Sequence, residues 1–275
     1  MDEKILDVYI IQTPESDRSI PLLNTLRKHP RIRVNLIEAT MLKCESEIIE
    51  KKISFDQNFF QAIEGRNLTF PEIGCAHSHN LARELVMNTN FGGVILEDDA
   101  RISDLDVFFT SAVNFLQSNS DRDVIFVLTG MMKNHNMYRA LKSGEYTKVV
   151  RLLGSAPLAV AYALTPHAAG NLFIANSPIK YVADWPVSSS IFCFANPPTV
   201  IHGDGHSVSS IAPSGNTFRL GPSLGKKLSL FTFYSYFRNR RFSISLTQYV
   251  NWVFKRRVYW YVDTILIFMR NQIRL

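Results

Sequence analysis

Short apolar runs, each bounded by polar, glycine or proline residues, recur through the first 165 residues of the chain. Runs of four to eight such residues, rich in Val, Ile and Leu, are typical of strands in a buried sheet. We therefore predict strands at residues 8–11, 34–37, 94–96, 124–128 and 158–164.

Helical periodicity fills the intervals between these runs. Apolar positions recur on one side of residues 19–28 and of residues 76–87, which predicts amphipathic helices there. Alternation of strand and helix indicates an α/β domain with a mostly parallel central sheet. Residues 186–225 are rich in Gly, Pro and Ser and predict loops, with one strand at residues 191–194.

Charge divides the chain near residue 225. The whole chain carries a formal charge of +6, but residues 226–275 hold ten basic residues and one acid, Asp263. Residues 1–225 then hold 20 basic and 23 acidic residues, a net charge of −3. We expect a catalytic or binding domain at 1–225 and a separate basic segment at 226–275.

This C-terminal segment also holds 13 of the 32 aromatic residues in the chain. Helical spacing of Leu246, Tyr249, Val250 and Val253 predicts an amphipathic helix. Aromatic rings beside Lys and Arg are typical of helices that lie on an anionic membrane surface. The alternatives are a helical cap that packs on the domain and a nucleic-acid-binding tail, and the composition favours the membrane surface.

Two features predict a cytoplasmic protein. The three cysteines form no Cys-x-x-Cys pair, so their spacing suggests neither a disulfide framework nor a structural zinc site. The acidic N-terminus, with a four-residue apolar run, lacks the features of a signal peptide. The C-terminal apolar stretch at 258–269 is too short to span a bilayer, so we expect a peripheral location at the inner membrane face.

The predicted strand at 94–96 ends abruptly in three acids, Glu97, Asp98 and Asp99. Ligand sites of open α/β sheets lie at such carboxyl ends, and adjacent carboxylates are typical ligands of Mg²⁺ or Mn²⁺. Strand alternation would point Glu97 and Asp99 one way and Asp98 the other. The alternative is a solvated loop with a helix N-cap at Asp98 or Asp99.

A second polar segment, EIGCAHSH at 72–79, precedes this strand. His79 and Arg83 are spaced to share one face of the predicted helix. If the start of that helix faced the acidic strand end, its N–H groups would suit a diphosphate.

Together the two segments resemble glycosyltransferase family 25, the lipooligosaccharide-biosynthesis glycosyltransferases. EIGCAHSH matches the family's Glu-Ile-Gly-Cys-x-x-Ser-His pattern, and VILEDDA at 94–100 matches its Ile-Leu-Glu-Asp-Asp motif. Weaker similarity lies at 8–19, 161–173 and 181–186, so the resemblance spans about residues 5–212.

The resemblance implies a GT-A-type domain that binds a nucleotide sugar, most often UDP-galactose, and an inverting transfer to a lipooligosaccharide or related glycan acceptor. If the family's metal motif is carried over to this chain, it falls on the acidic triplet, with Asp98 and Asp99 as ligands of Mn²⁺ or Mg²⁺. The donor contacts expected around the metal are Glu97, Asp98 and the motif residues Ser78 and His79. Thr13 and Arg18 are expected as further contacts, because the C-terminal edge of the first strand should face the site.

An inverting transfer needs a carboxylate base for the acceptor hydroxyl. Asp184, before Trp185 and Pro186, is our first choice, and Glu72 is the rival base or an acceptor-positioning residue. His202 or His206, in a Gly-rich turn, is a further metal ligand in this interpretation, with solvated loop histidines as the alternative.

We thus predict a UDP-sugar-dependent hexosyltransferase, a β-galactosyltransferase by resemblance. Two other functions fit the same residues. One is a metal-dependent nucleotidyltransferase or phosphohydrolase that uses the acidic strand end. The other is a non-catalytic protein that binds a membrane or nucleic acid.

Overall fold

The structure, a computed structural model, describes residues 4–64, 66–129, 138–140, 148–152, 159–183, 191–196 and 198–202. Its strands are β1 (Leu6–Gln12), β2 (Ile32–Glu38), β3 (Gly93–Glu97), β4 (Ala100–Ile102), β5 (Val124–Val127), β6 (Tyr138–Ala140), β7 (Lys148–Leu152), β8 (Ala161–Leu164), β9 (Ile191–Asn196) and β10 (Val200–His202). Its helices are α1 (Ile20–Leu26), α2 (Glu45–Glu50), α3 (Gln57–Glu64), α4 (Phe70–Met87), α5 (Leu105–Ser118) and α6 (Pro166–Ala175). The predicted α/β class and each predicted strand are confirmed.

Eight strands form one central sheet in the order β2-β1-β3-β8-β5-β9-β7-β6. β1 pairs in parallel with β2 and β3, and β5 pairs in parallel with β9. β8 is antiparallel to both of its neighbours, and so is β7. Six of the eight strands therefore run in one direction, which confirms a mostly parallel sheet among the described residues.

Helices cover both faces of this sheet. Side chains alternate along β1, so that Val8 and Ile10 pack with α1 and α5, whereas Tyr9 and Ile11 pack with α4 and α6. The same alternation places Val94 and Leu96 of β3 on the α1 and α5 face and Ile95 on the α4 face. A side chain at position 97 consequently projects toward α4.

Helix α4 begins six residues earlier than predicted. Thr69 is its N-cap and forms a reciprocal capping box with Glu72, while Pro71 occupies the first turn, where its missing N–H costs nothing. Sequence periodicity alone could not locate this start, because the first turn is held by polar capping contacts and not by an apolar stripe.

β4 and β10 form a separate antiparallel pair, in which His202 lies opposite Ala100. The sequence predicted neither strand, since each has three residues. Their pairing brings the backbone of a late segment next to the acidic triplet.

Among the described residues, none of the helices combines the length and apolar character needed to cross a membrane. The basic segment 226–275 lies outside the described residues, so its helix, the domain boundary near 225 and membrane association stay predictions.

Candidate functional site

The carboxyl ends of β1 and β3 meet at one edge of the sheet. Ile11 pairs with Glu97, the last residue of β3. One step beyond β1, the backbone N–H of Thr13 donates to Asp98 Oδ2 at 3.1 Å. The expectation that the segment after the first strand faces the acidic triplet is therefore met for Thr13.

Arg18 supplies the cation of this cluster. It lies in a 3-10 turn, Asp17–Ser19, that follows β1. Its Nη2 donates to Asp99 Oδ2 at 2.7 Å, and its Nε lies 3.6 Å from Asp98 Oδ1. Asp98 is 5% exposed and Asp99 is 7% exposed, so two nearly buried carboxylates share one guanidinium.

The predicted alternation of the three acids is wrong. β3 ends at Glu97, and Asp98 and Asp99 form the turn before β4, so strand geometry no longer governs their directions. Both aspartates reach Arg18, while Glu97 projects to the opposite face. The N-cap alternative is also wrong, because the next helix, α5, is capped by Asp104, whose carboxylate accepts from the N–H of Val107.

Glu97 meets α4 through His79. His79 Nε2 lies 3.3 Å from Glu97 Oε1, and His79 Nδ1 lies 2.8 Å from the hydroxyl of Tyr162. Tyr162 sits in the middle of the buried strand β8, and burial raises the pKa of its hydroxyl to about 12. The phenol is consequently protonated at neutral pH and acts as a fixed neutral hydrogen-bonding partner for His79.

Arg83 completes this chain of polar contacts. It is fully buried on α4, one turn after His79, and lies close enough to Tyr162 for its charge and hydrogen bond to lower the pKa that burial raises. Its Nη1 donates to Asn80 Oδ1 at 3.1 Å, and its Nη2 donates to the carbonyl of Ala183 at 3.1 Å. Arg83 thus ties α4 to the residue immediately before Asp184.

The glycine and serine of EIGCAHSH pack α4 against Thr40, after β2. A Cβ on Gly74 would lie 2.1 Å from the Thr40 carbonyl oxygen, so only glycine permits this approach. The hydroxyl of Ser78 accepts from the N–H of Thr40 at 2.8 Å and donates to the carbonyl of Gly74 at 2.8 Å. Ser78 is fully buried, and its observed contacts hold the helix in place.

Glu72 is engaged at the start of α4. Its carboxylate accepts from Arg66 at 2.7 and 2.8 Å and from the N–H of Thr69 at 2.9 Å. Partial burial raises its pKa, but the hydrogen bonds from Arg66 and Thr69 outweigh burial and lower the pKa overall. The observed contacts of Glu72 are those of a helix-capping residue. Its role as a catalytic base stays a prediction.

The remaining predicted site residues are only partly placed. His202 ends β10, and its backbone pairs with Ala100, the residue that follows Asp99. Asp184 and His206 lie outside the described residues. The structure thus brings Thr13 and Arg18 together with Asp98 and Asp99, joins Glu97 to His79, and places the backbone of His202 opposite Ala100.

Sequence reasoning missed Tyr162, Cys75 and Thr40 as parts of this region. A tyrosine in the centre of an otherwise apolar strand is a usable signal, because a buried phenol needs a hydrogen-bond partner. Cys75 lies on α4 with its sulfur near His79 and Glu97, a contact that depends on the distant strand β3. Thr40 contributes backbone groups, which carry no sequence signal.

The oxygen donors of Asp98 and Asp99 suit a divalent cation. Asp98 and Asp99 place two carboxylates in a nearly buried position, where Arg18 offsets one negative charge, and oxygen ligands are those that Mg²⁺ and Mn²⁺ prefer. These two residues therefore fit the ion that the family resemblance implies.

A cavity of about 390 Å³ lies at the other end of the strands. Asp7 and Tyr9, near the start of β1, line it together with Gly92, before β3. Its Asp7 carboxylate is already paired with Arg33. This cavity is therefore separate from the acidic strand end.

An α/β sheet with buried carboxylates where two adjacent parallel strands end is typical of enzymes that bind nucleotide substrates. The chain matches the family model described as glycosyltransferase family 25 (LPS biosynthesis protein) over residues 6–187, about two thirds of its length. It belongs to glycosyltransferase family 25, as predicted. A search of curated proteins found no match. Membership defines a glycosyltransferase of lipopolysaccharide biosynthesis, which implies a nucleotide-sugar donor and a glycan acceptor.

Proposed function

We propose that this glycosyltransferase is an inverting enzyme of the GT-A type that transfers galactose from UDP-galactose to a lipooligosaccharide or related lipid-linked glycan. The observation that carries the proposal is the pair of nearly buried carboxylates, Asp98 and Asp99, where the ends of β1 and β3 meet. The choice of UDP-galactose and of inversion follows from the resemblance of both sequence motifs to the family.

Asp98 and Asp99 hold a divalent cation, Mn²⁺ or Mg²⁺, in this proposal. When bound, the ion would supply Lewis-acid neutralisation of the departing diphosphate. Thr13 fixes one carboxylate by donating its N–H to Asp98 Oδ2. His202 is supported as a further ligand by its backbone register opposite Ala100, and His206 remains the alternative.

Arg18 serves the donor site in two ways. Through its contacts with both aspartates it offsets their mutual repulsion before a cation binds. Its side chain is about 29% exposed, so the guanidinium is accessible to a diphosphate, for which arginine geometry is well suited.

Glu97, Ser78 and His79 act mainly by positioning. Ser78 and His79 are fully buried, which leaves no surface for direct contact with a nucleotide. Ser78 holds the helix against Thr40, and His79 holds the carboxylate of Glu97 at the edge of the donor site. Glu97 is partly exposed and is the member of this group that can reach a substrate.

Asp184 is the proposed base for the acceptor hydroxyl. The contact between Arg83 and the Ala183 carbonyl supports it, because this contact anchors the preceding residue to the helix that carries His79. Glu72 is the weaker choice, since a lowered pKa and four hydrogen bonds from Arg66 and Thr69 leave its carboxylate a poor proton acceptor.

Residues 226–275 are proposed to hold the enzyme at an anionic membrane surface, where a glycolipid acceptor lies. Support comes from their composition, with ten basic residues and 13 aromatic residues. The corresponding location is the cytoplasmic face of the inner membrane.

Slow hydrolysis of the donor tests this function without an acceptor. The protein is incubated with Mn²⁺ and a panel of UDP-sugars, and UDP, phosphate and pyrophosphate are quantified. Release of UDP from UDP-galactose above the other donors is expected. Preference for another UDP-sugar would overturn the donor assignment, and release of phosphate or pyrophosphate without UDP would favour a phosphohydrolase or nucleotidyltransferase.

A further inference from the structure

One face of the EIGCAHSH helix carries a sulfur and a nitrogen atom that lie next to the carboxylate of Glu97. Cys75 and His79 are four residues apart on α4 and therefore share one face. Glu97, at the end of β3, lies against that face. A thiol sulfur, an imidazole nitrogen and a carboxylate oxygen from these three residues all lie within 4.8 Å of one another.

A contact with Tyr162 fixes the orientation of the His79 ring. Its Nδ1 faces the hydroxyl of Tyr162 at 2.8 Å, which leaves Nε2 directed at Glu97. Histidines that bind metals almost always have such a partner on the second ring nitrogen, because this contact sets the tautomer and the ring direction. Cation binding at Nε2 requires the tautomer with its proton on Nδ1, in which Nδ1–H donates to the Tyr162 oxygen.

Access and charge also suit a cation. His79 is fully buried, whereas Cys75 and Glu97 are partly exposed, so solvent reaches two of the three residues. A thiolate and a carboxylate together carry two negative charges, which a divalent ion cancels. The assembled group is then neutral, as a partly buried position requires.

We propose that Cys75, His79 and Glu97 form a Zn²⁺ site distinct from the Asp98 and Asp99 site. One sulfur, one nitrogen and one oxygen ligand select Zn²⁺ over Mg²⁺ or Mn²⁺, which prefer oxygen ligands. Three protein ligands leave a fourth position for water or another small ligand.

The two sites are separated by the direction of the side chains. Glu97 projects toward α4, while Asp98 and Asp99 project toward Arg18. Spacing along the chain does not reveal this site, because two ligands lie on one helix and the third lies on the strand that follows it, unlike the paired Cys-x-x-Cys pattern.

Co²⁺ is the probe, because cobalt bound by a thiolate absorbs through a sulfur-to-metal charge-transfer band and tetrahedral cobalt shows strong visible bands. The full chain is freed of metal with a chelator and titrated with Co²⁺, and bound Co²⁺ is then displaced with Zn²⁺ or Mn²⁺. We expect one equivalent of thiolate-bound cobalt that Zn²⁺ displaces and Mn²⁺ does not.

Four variants locate the site. Cys75→Ser should abolish the charge-transfer band, and Glu97→Gln should weaken Co²⁺ binding while the band remains detectable at high cobalt. Tyr162→Phe should weaken binding by about 10- to 100-fold through loss of the outer contact. Cys44→Ser, at an exposed cysteine, should leave the titration unchanged. Circular dichroism of each variant verifies that it is folded.

Two results would overturn the proposal: a band that survives Cys75→Ser, or a wild-type chain that binds no cobalt through sulfur. Asp99→Asn separates this proposal from the proposed function. It should leave the cobalt band intact even though it removes donor turnover, so either proposal can fail without the other.

Discussion

Arg18 Nη2 lies 2.7 Å from Asp99 Oδ2, although 81 residues separate the two in sequence. The contact exists because β1 and β3 are parallel neighbours whose carboxyl ends meet. It places the Arg18 cation next to the nearly buried carboxylates of Asp98 and Asp99, and so offsets the repulsion between them. In the proposed function, Arg18 and a divalent ion neutralise the same two groups.

Arg18→Ala should make the stability of the protein more dependent on Mn²⁺. Loss of a hydrogen bond to a charged group should cost about 1–3 kcal/mol when a chelator is present. Mn²⁺ should then raise the melting temperature more in the variant than in the wild type, because the two aspartates have lost the guanidinium of Arg18. Thermal unfolding followed by circular dichroism measures both shifts.

Lys28→Ala, at an exposed position after α1, is the matched control and should leave both melting temperatures unchanged. An equal Mn²⁺ shift in Arg18→Ala and in the wild type would show that Arg18 and the ion do not share ligands.

Gly74→Ala should destabilise the fold. The new methyl group would lie 2.1 Å from the Thr40 carbonyl oxygen, so the helix or the segment after β2 must move. Overpacking of this kind costs about 1–3 kcal/mol. Gly170→Ala on α6 is the control, since nothing lies within 4 Å of its new Cβ, and it should stabilise by about 0.5–1 kcal/mol. Urea denaturation gives both values, and equal effects would contradict the packing role of Gly74.

Glu72→Gln should lower stability at neutral pH but not in acid. The folded state lowers the pKa of Glu72 through hydrogen bonds from Arg66 and Thr69, which outweigh the effect of burial. The unfolded chain therefore binds this proton more readily, so the stabilisation is present above the ordinary pKa of 4.5 and is lost as the pH falls through the folded value.

The difference in unfolding free energy between Glu72→Gln and the wild type should be about 1 kcal/mol at pH 7 and should shrink below pH 4.5. Glu84→Gln, at an exposed position on the same helix, serves as control. Donor turnover should persist in Glu72→Gln, and its loss in a stable variant would instead support Glu72 as the base.

Deletion of residues 228–275 should abolish binding to anionic vesicles. Each Lys or Arg near such a surface contributes about 1 kcal/mol, and this contribution weakens as salt rises. Co-sedimentation with anionic and with neutral vesicles at low and high salt measures the effect. Unchanged binding after the deletion would contradict the membrane role, and binding to RNA in preference to vesicles would favour the nucleic-acid alternative.

Strands β1, β3, β5 and β8, which sequence reasoning located, are buried on both faces, whereas β2 was located although most of its residues are not buried. Val8 to Ile11 and Val94 to Leu96 are apolar at every position, so their runs stand out. The antiparallel direction of β8 and the short pair β4 and β10 depend on contacts between distant segments, which periodicity does not encode. The rule that ligands gather at carboxyl ends of parallel strands was enough to join Thr13 to the acidic triplet.

The site was harder to predict wherever the chain leaves regular structure. Strand alternation failed at Asp98 because β3 has already ended at Glu97. The contact between His79 and Tyr162 spans 83 residues, and the role of Gly74 depends on a backbone oxygen of Thr40. In each case the partner is set by tertiary packing and is not encoded in local spacing.

Release of UDP from UDP-galactose with Mn²⁺, compared between the wild type and Asp99→Asn, tests the central claim most directly. Asp121→Asn, at an exposed aspartate outside the site, is the control. We predict that Asp99→Asn lowers the rate on the order of 100-fold or more, while Asp121→Asn retains the wild-type rate. Equal rates in the folded Asp99→Asn variant and the wild type would contradict the assignment of the acidic strand end as the donor site.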